Sequence, residues 1–147
     1  MAKLAHQHPT EYESYWSLPF KGLRIIQLRI DHSFGMEIGD TDGEFSLRIN
    51  TPFKLKDSED IADYTAERLS EIGGALRLFD AVVVDAKAFK NGRLEMTFSN
   101  GIIVFVDPDT RFEPWEAVGN GEDGMRIIAM PGGELVVWSG SQLGKKM

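Results

Sequence analysis

The alternation of apolar and polar residues in the first third of the chain predicts β-strands. The alternation runs over residues 22–30, returns over 34–38 and returns again over 44–50. A period of two places the apolar side chains on one face of a strand. Asp42-Gly43 separates the last two segments and is typical of a tight hairpin turn. The pattern therefore predicts an antiparallel meander with one solvent-exposed face.

The second half of the chain carries the same signals. Residues 81–89, 94–98 and 102–106 are alternating or continuous apolar runs, separated by Asn91-Gly92 and Asn100-Gly101. Asn-Gly is the strongest short-range signal for a two-residue hairpin turn. Three further short runs follow, at residues 112–118, 125–130 and 134–138. The complete chain is thus expected to contain about nine to ten strands.

One helix is predicted between these two halves. Asp57, Glu59 and Asp60 favour a helix start. Gly73-Gly74 favours a helix end. Between them, four apolar residues follow one another at spacings of three, five and three: Ile61, Tyr64, Leu69 and Ile72. We therefore predict an α+β fold, consisting mainly of antiparallel β meanders with one main helix over residues 58–72.

The two halves also resemble each other in the order strand, turn, strand, turn, strand. In this comparison Phe34 corresponds to Leu94, Met36 to Met96 and Ile38 to Phe98. Phe53 would correspond to Phe112. Few residues are identical, so independent meander patterning explains the likeness about as well as two pseudo-repeated halves do.

A chain of 147 residues is expected to form one domain. We predict an irregular N-terminal arm over residues 1–18, a single α+β domain over 19–138 and a flexible C-terminal tail over 139–147. No secretory signal and no apolar run of membrane-spanning length is visible, which predicts a cytoplasmic protein without membrane contact.

Composition narrows the chemistry and the choice of partner. The chain contains no cysteine, which excludes disulfides, thiol catalysis and cysteine-based metal sites. Its net charge of −7 disfavours nucleic acid and anionic membranes and favours a cationic partner. His6 and His8 lack a third ligand nearby, so neither a metal nor a cofactor is expected.

The remaining candidate residues are acidic and aromatic. Trp115 and Trp138 are residue types that dominate protein interfaces, although large aromatic side chains are more often buried in cores. Glu113 and Glu116 flank the first tryptophan. We predict a contact surface formed by Glu113, Trp115, Glu116 and Trp138, with at least one of the two tryptophans in the core.

The second half resembles a family of small uncharacterised bacterial domains, mostly actinobacterial. The residues that carry the resemblance are Gly92, Leu94, Phe98, Asn100-Gly101, Glu113, Trp115-Glu116, Pro131-Gly132-Gly133 and Trp138. The similarity covers roughly residues 22–138. The Glu-x-Trp-Glu segment is also loosely similar to segments of immunity proteins that neutralise bacterial toxins. The resemblance implies no catalytic residue.

Three functional hypotheses follow. The first is a non-enzymatic protein-binding domain, such as an immunity-type inhibitor of a toxin. The second is a small-molecule-binding or hydrolytic enzyme with a pocket between sheet and helix, for which Asp31, His32 and Glu113 are the first candidates. The third is a structural homo-oligomer, such as a homodimer, that pairs exposed sheet edges.

Overall fold

The structure is a computed structural model that describes residues 8–121 and 124–138. The predicted C-terminal tail and His6 lie outside the described residues. In chain order the strands are β1 (Thr10–Glu11), β2 (Tyr15–Ser17), β3 (Arg24–Ile30), β4 (Phe34–Gly39), β5 (Gly43–Ile49), β6 (Phe53–Lys56), β7 (Ile61–Tyr64), β8 (Val83–Phe89), β9 (Leu94–Phe98), β10 (Ile103–Val106), β11 (Trp115–Gly119), β12 (Arg126–Ala129) and β13 (Leu135–Trp138).

These strands form two antiparallel sheets. One sheet has seven strands in the order β1-β2-β8-β9-β10-β6-β7, and the other has six in the order β13-β12-β11-β5-β4-β3. The apolar side chains on one face of each sheet belong to a single buried cluster. Phe34 of β4 contacts Phe53 of β6 across the two sheets, with ring centroids 5.0 Å apart. The architecture is therefore a β-sandwich whose core lies between the inner faces.

The predicted α+β class is wrong, because the described chain is almost entirely β-structure. Its one helical element is a 3-10 segment, Leu69–Leu78, which places Ile72, Ala75 and Leu78 against the core. This single segment connects β7 to β8 and does not form a helical layer.

The start of the predicted helix is instead a turn followed by an edge strand. The Asp57 carboxylate accepts the backbone N–H groups of Glu59 and Asp60, both at 2.9 Å. Residues Ile61–Tyr64 then pair with β6, and the Tyr64 ring lies 6.0 Å from that of Phe53. Asp57 thus closes a local turn with its own side chain, which competes with helix formation.

The part of the N-terminal arm that the structure describes joins the sheet. β1 pairs with β2, and β2 pairs with β8. Leu18, directly after β2, is buried in the core. The interspersed aromatics of this segment pack on each other, with Tyr12 stacked on Tyr15 at 4.9 Å. Residues 10–18 therefore extend the sandwich, where an irregular arm was expected.

The two predicted meanders occupy different sheets and exchange strands. β3-β4-β5 lies in the six-stranded sheet and β8-β9-β10 in the seven-stranded sheet. After each meander the chain crosses to the opposite sheet. There β6 pairs with β10, the last strand of the second meander, and β11 pairs with β5, the last strand of the first. The two halves therefore have the same topology and are related by a pseudo-twofold arrangement.

Strand registers give the two halves equivalent positions. Phe34 and Met36 face Ile49 and Leu47 in the first meander, as Leu94 and Met96 face Val106 and Val104 in the second. The first strand of each meander carries an irregularity at the same place, between Ile25 and Gln27 in β3 and between Val83 and Asp85 in β8. The correspondence of Phe34, Met36 and Ile38 with Leu94, Met96 and Phe98 agrees with these registers.

The correspondence of Phe53 with Phe112 does not agree with them. Phe53 begins β6 and Trp115 begins β11, and a proline precedes each. Both side chains are buried, whereas Phe112 lies in the preceding loop and is 58% exposed. Trp115 is thus the structural counterpart of Phe53, and the longer loop before β11 shifted the sequence comparison.

The two halves meet where β3 and β8 begin. Ile25 donates its N–H to the carbonyl of Ala81 at 3.0 Å, and Val83 donates to the carbonyl of Leu23 at 2.7 Å. Just before each of these contacts the backbone turns through positive φ, +85° at Gly22 and +69° at Asp80. This pair of matched hydrogen bonds marks the pseudo-twofold axis.

The φ of Gly22 gives the first prediction. Gly22→Ala is expected to lower the free energy of unfolding by about 1–2 kcal/mol, since an L-residue is strained at this φ. An added Cβ would meet nothing within 4 Å, so the loss comes from the backbone alone. Gly73→Ala is the matched control, because its Cβ is equally free and its φ is not positive. Urea unfolding that shows equal effects of the two variants would contradict this account.

Candidate functional site

The outward-facing side of the six-stranded sheet, called here the outer face, carries the candidate site. Residues directly opposite on neighbouring strands project to the same side of a sheet. The registers align a central row of residues across β3, β4, β5, β11 and β12: Arg29, Gly35, Arg48, Glu116 and Ile128. A second row lies beside it and consists of Gln27, Glu37, Ser46, Val118, Arg126 and Trp138. Charged groups thus gather on β3, β4 and β5, and apolar groups on β12 and β13.

A depression of about 290 Å³ opens on the charged part of the outer face. It forms at Gly35, where the central row has no side chain. The residues around it that carry charge are Arg29, Asp31, Glu37, Arg48 and Glu116. Two guanidinium groups therefore lie on either side of a glycine, with carboxylates at the margin.

Glu37 is the centre of the hydrogen-bond network beside the depression. Arg29 donates to its carboxylate at 2.6 Å, and the Ser46 hydroxyl donates to it at 2.8 Å. The Asn120 amide donates to Ser46 Oγ at 3.1 Å and to the carbonyl of Gly43 at 3.0 Å. The network holds these side chains in one arrangement, so this wall of the depression is preorganised.

The grouping of Asp31, His32 and Glu113 suggested by the enzyme hypothesis is not assembled as a dyad or triad. The Asp31 carboxylate accepts the backbone N–H of Ser33 at 2.8 Å and its hydroxyl at 3.0 Å. These two bonds lower the pKa of the Asp31 carboxyl below its usual value. Within the described chain, His32 makes no side-chain hydrogen bond or ion pair and, like Glu113, does not line the depression.

Trp115 belongs to the core. Its side chain has no exposed surface, and its indole N–H donates to the buried carbonyl of Gly92 at 2.9 Å. A residue without accessible surface cannot touch a partner in this conformation, so Trp115 is not part of the outer face. At least one of the two tryptophans was expected in the core, and Trp115 lies there.

Arg126 brings two of the predicted contact residues together. Its Nε donates to the Glu116 carboxylate at 2.8 Å, and its guanidinium carbon lies 5.7 Å from the ring centroid of Trp138. Glu116 is partly buried and Trp138 partly exposed. The fourth predicted residue, Glu113, lies apart in the loop before β11, where its backbone carbonyl accepts the Asn50 amide at 3.0 Å.

The sequence patterns did not identify Gly35, Arg48 or Arg126 as candidate site residues. A glycine inside an alternating strand pattern is the signal that could have found the depression, since it marks close backbone approach or a missing side chain. Identifying its neighbours required the register of β3, β4 and β5. That register depends on the bulge in β3, which the alternation alone does not reveal.

No group of three or more histidine, cysteine, aspartate or glutamate side chains in residues 8–121 and 124–138 is arranged to hold a metal ion. Over the same residues, no helix is both long and apolar enough to cross a membrane.

The chain belongs to the family described as "Family of unknown function (DUF6188)", which matches residues 16–139. No curated protein matches the chain. No solved structure matches it either. The family covers both sheets, including the candidate site, and assigns no activity to it.

The position of Trp115 gives the second prediction. Trp115→Phe is expected to lower the free energy of unfolding by about 2 kcal/mol, because the buried Gly92 carbonyl loses its donor. Trp138→Phe is the control and is expected to cost less than about 0.5 kcal/mol, since the residue is partly exposed on an edge strand. The measurement is chemical denaturation followed by circular dichroism. Similar losses in both variants would contradict the assignment of Trp115 to the core.

The hydrogen bonds of Asp31 give the third prediction. Ser33→Ala is expected to raise the pKa of Asp31 towards 3.8, while the backbone N–H of Ser33 keeps it below that value. Because the folded-state pKa is lowered, the stabilisation by Asp31 is present above pH 3.8 and is lost as the pH falls through the folded pKa. NMR titration of the carboxyl carbon measures this. His32→Ala is expected to leave the pKa unchanged, and a rise would reveal a dyad that the geometry does not contain.

Proposed function

We propose that this member of the family is a non-enzymatic protein-binding domain that presents the outer face to a protein partner, in the manner of an immunity-type inhibitor of a toxin. The observation that carries the proposal is the cluster of Glu116, Arg126 and Trp138. Arginine and tryptophan are the residue types that contribute most to binding energy at protein interfaces. Here an ion pair and a cation–π contact already orient both of them.

Apolar surface next to this cluster supports the same proposal. Val136 is partly exposed on the outer face, two residues from Trp138 along β13, and it lies opposite Ile128, which is 8% exposed. Interfaces combine an apolar centre with a polar rim that excludes water. The charged depression at Gly35 lies on the β3 side of these apolar strands and supplies polar groups of this kind.

The charge of the chain favours a partner with a cationic binding surface. A net charge of −7 raises the association rate with basic proteins and slows that with acidic ones. Toxins that act on anionic substrates such as nucleic acids need cationic active sites. The net charge of the whole chain would attract such a toxin over long range, and the fixed aromatic residue of the outer face would contact it.

Co-expression with toxin-like proteins encoded next to the gene tests the proposal. The chain is expected to restore growth and to bind the toxin, and Trp138→Ala is expected to weaken binding by about thirtyfold. Arg126→Ala should also weaken it, and the melting temperature of each variant shows whether folding is retained. Tyr12→Ala is the control, because this exposed aromatic residue lies between β1 and β2 of the seven-stranded sheet, away from the outer face. The proposal fails if no neighbouring product is bound, or if Tyr12→Ala weakens binding equally.

A further inference from the structure

We propose that the depression at Gly35 is a binding site for a single carboxylate, supplied by an aspartate or glutamate side chain of the protein partner. The source of the carboxylate rests on the proposed function. The site itself rests on the geometry of Arg29, Gly35 and Arg48. The cluster of Arg126 and Trp138 would supply affinity, and this second site would fix the position of the partner on the outer face.

The two arginines provide complementary charge around a site without a side chain. Arg29 and Arg48 both lie directly opposite Gly35, one on each neighbouring strand. Arg29 already donates to Glu37. In the part of the chain that the structure describes, Arg48 donates no hydrogen bond and forms no ion pair. Its charge attracts the Asp31 carboxylate through space, while its N–H groups are free to donate to a ligand. A guanidinium binds a carboxylate through two parallel hydrogen bonds, which gives direction as well as charge.

The pseudo-repeat supplies an internal comparison. The positions equivalent to Arg29, Gly35 and Arg48 are Lys87, Glu95 and Phe105 on the seven-stranded sheet. There the central position carries a carboxylate, and Glu95 forms an ion pair with Arg93 at 3.2 Å. The fold thus accommodates a carboxylate between these strands in one half. In the other half the carboxylate is missing and a second arginine is present.

Space and charge restrict what the depression accepts. Its volume of about 290 Å³ admits a carboxymethyl group together with several waters of roughly 30 Å³ each. Asp31, Glu37 and Glu116 stand at its margin and repel every anion, with a repulsion that grows with the charge of the anion. A phosphate ester carries up to two negative charges and would be repelled more strongly than a carboxylate, which carries one. The planar carboxylate also matches the geometry of a guanidinium group.

The proposed carboxylate is compatible with a partner of positive net charge. Long-range attraction depends on the sum of all charges, whereas a contact at a few ångströms depends on the facing groups. A basic partner with one acidic side chain at the correct place would be attracted and also oriented. If a basic partner lacked that side chain, Arg48 would face positive charges of the partner. This repulsion lowers the affinity for wrong partners.

The first experiment uses a probe in place of the partner. N-acetylaspartate amide is titrated into the full chain, and N-acetylasparagine amide serves as the uncharged control, with the backbone amide signals of β4 and β5 followed by NMR. We expect a saturable shift with the carboxylate alone, and Arg48→Gln to weaken binding by about fivefold. Acetyl phosphate is expected to bind less tightly. Equal shifts with both amides, or preference for the phosphate, would overturn the inference.

The second experiment uses the comparison between the halves. Gly35→Glu reproduces the arrangement at Glu95 and is expected to occupy the site from within, which abolishes the shift. Gly35→Ala adds only a Cβ, whose nearest neighbour is the Arg29 carbonyl at 3.4 Å, and should retain most of the binding. If the probe binds but no protein partner is found, the proposed function fails and the carboxylate site stands. If a partner binds and Arg48→Gln leaves its affinity unchanged, the site fails and the proposed function stands.

Discussion

The exchange of strands between the two halves is the constraint on which the rest of the structure depends. Neither half completes a sheet by itself, because β6 pairs with β10 of the other half and β11 pairs with β5. A proline directly precedes each crossing strand, and the first residue of the strand is a buried aromatic, Phe53 or Trp115. The aromatic side chain fills the core beneath the sheet that the strand joins. The outer face therefore exists only when both halves have folded, since β11 contributes Glu116 to a row that begins in β3.

The sequence predicted the hairpins well because their signals are local. Gly92 and Gly101 both have positive φ, as Asn-Gly turns require, and the alternation between turns assigned the inner residues of β4 and β9. The helix was wrong because its evidence was a loose spacing of apolar residues, while the side chain of Asp57 closed a turn that the spacing could not reveal. β1 and β2 were missed for a related reason: two and three residues are too few for a period. Their stability comes from pairing with β8, which is a tertiary contact.

The candidate site was less predictable than the fold, since it is defined by residues that are neighbours across strands. Glu116 and Trp138 were found by residue type, yet the residue that connects them, Arg126, lies on a strand between theirs. Trp115 has the same residue type as Trp138 and the opposite environment. Composition around a tryptophan does not separate the two cases. Strand order does, because β11 is central and β13 is an edge strand.

The pseudo-repeat explains why sequence identity between the halves is low and where function is expected to differ. Inward positions keep their size and apolar character, as at Met36 and Met96, because both fill the same core. Outward positions are free of this requirement. Gly35 and Glu95 differ completely, although they occupy equivalent places. When two halves share one architecture, differences between their outer faces cannot be required by the fold. Such differences therefore give the two outer faces different chemistry, and the row through Gly35 is one of them.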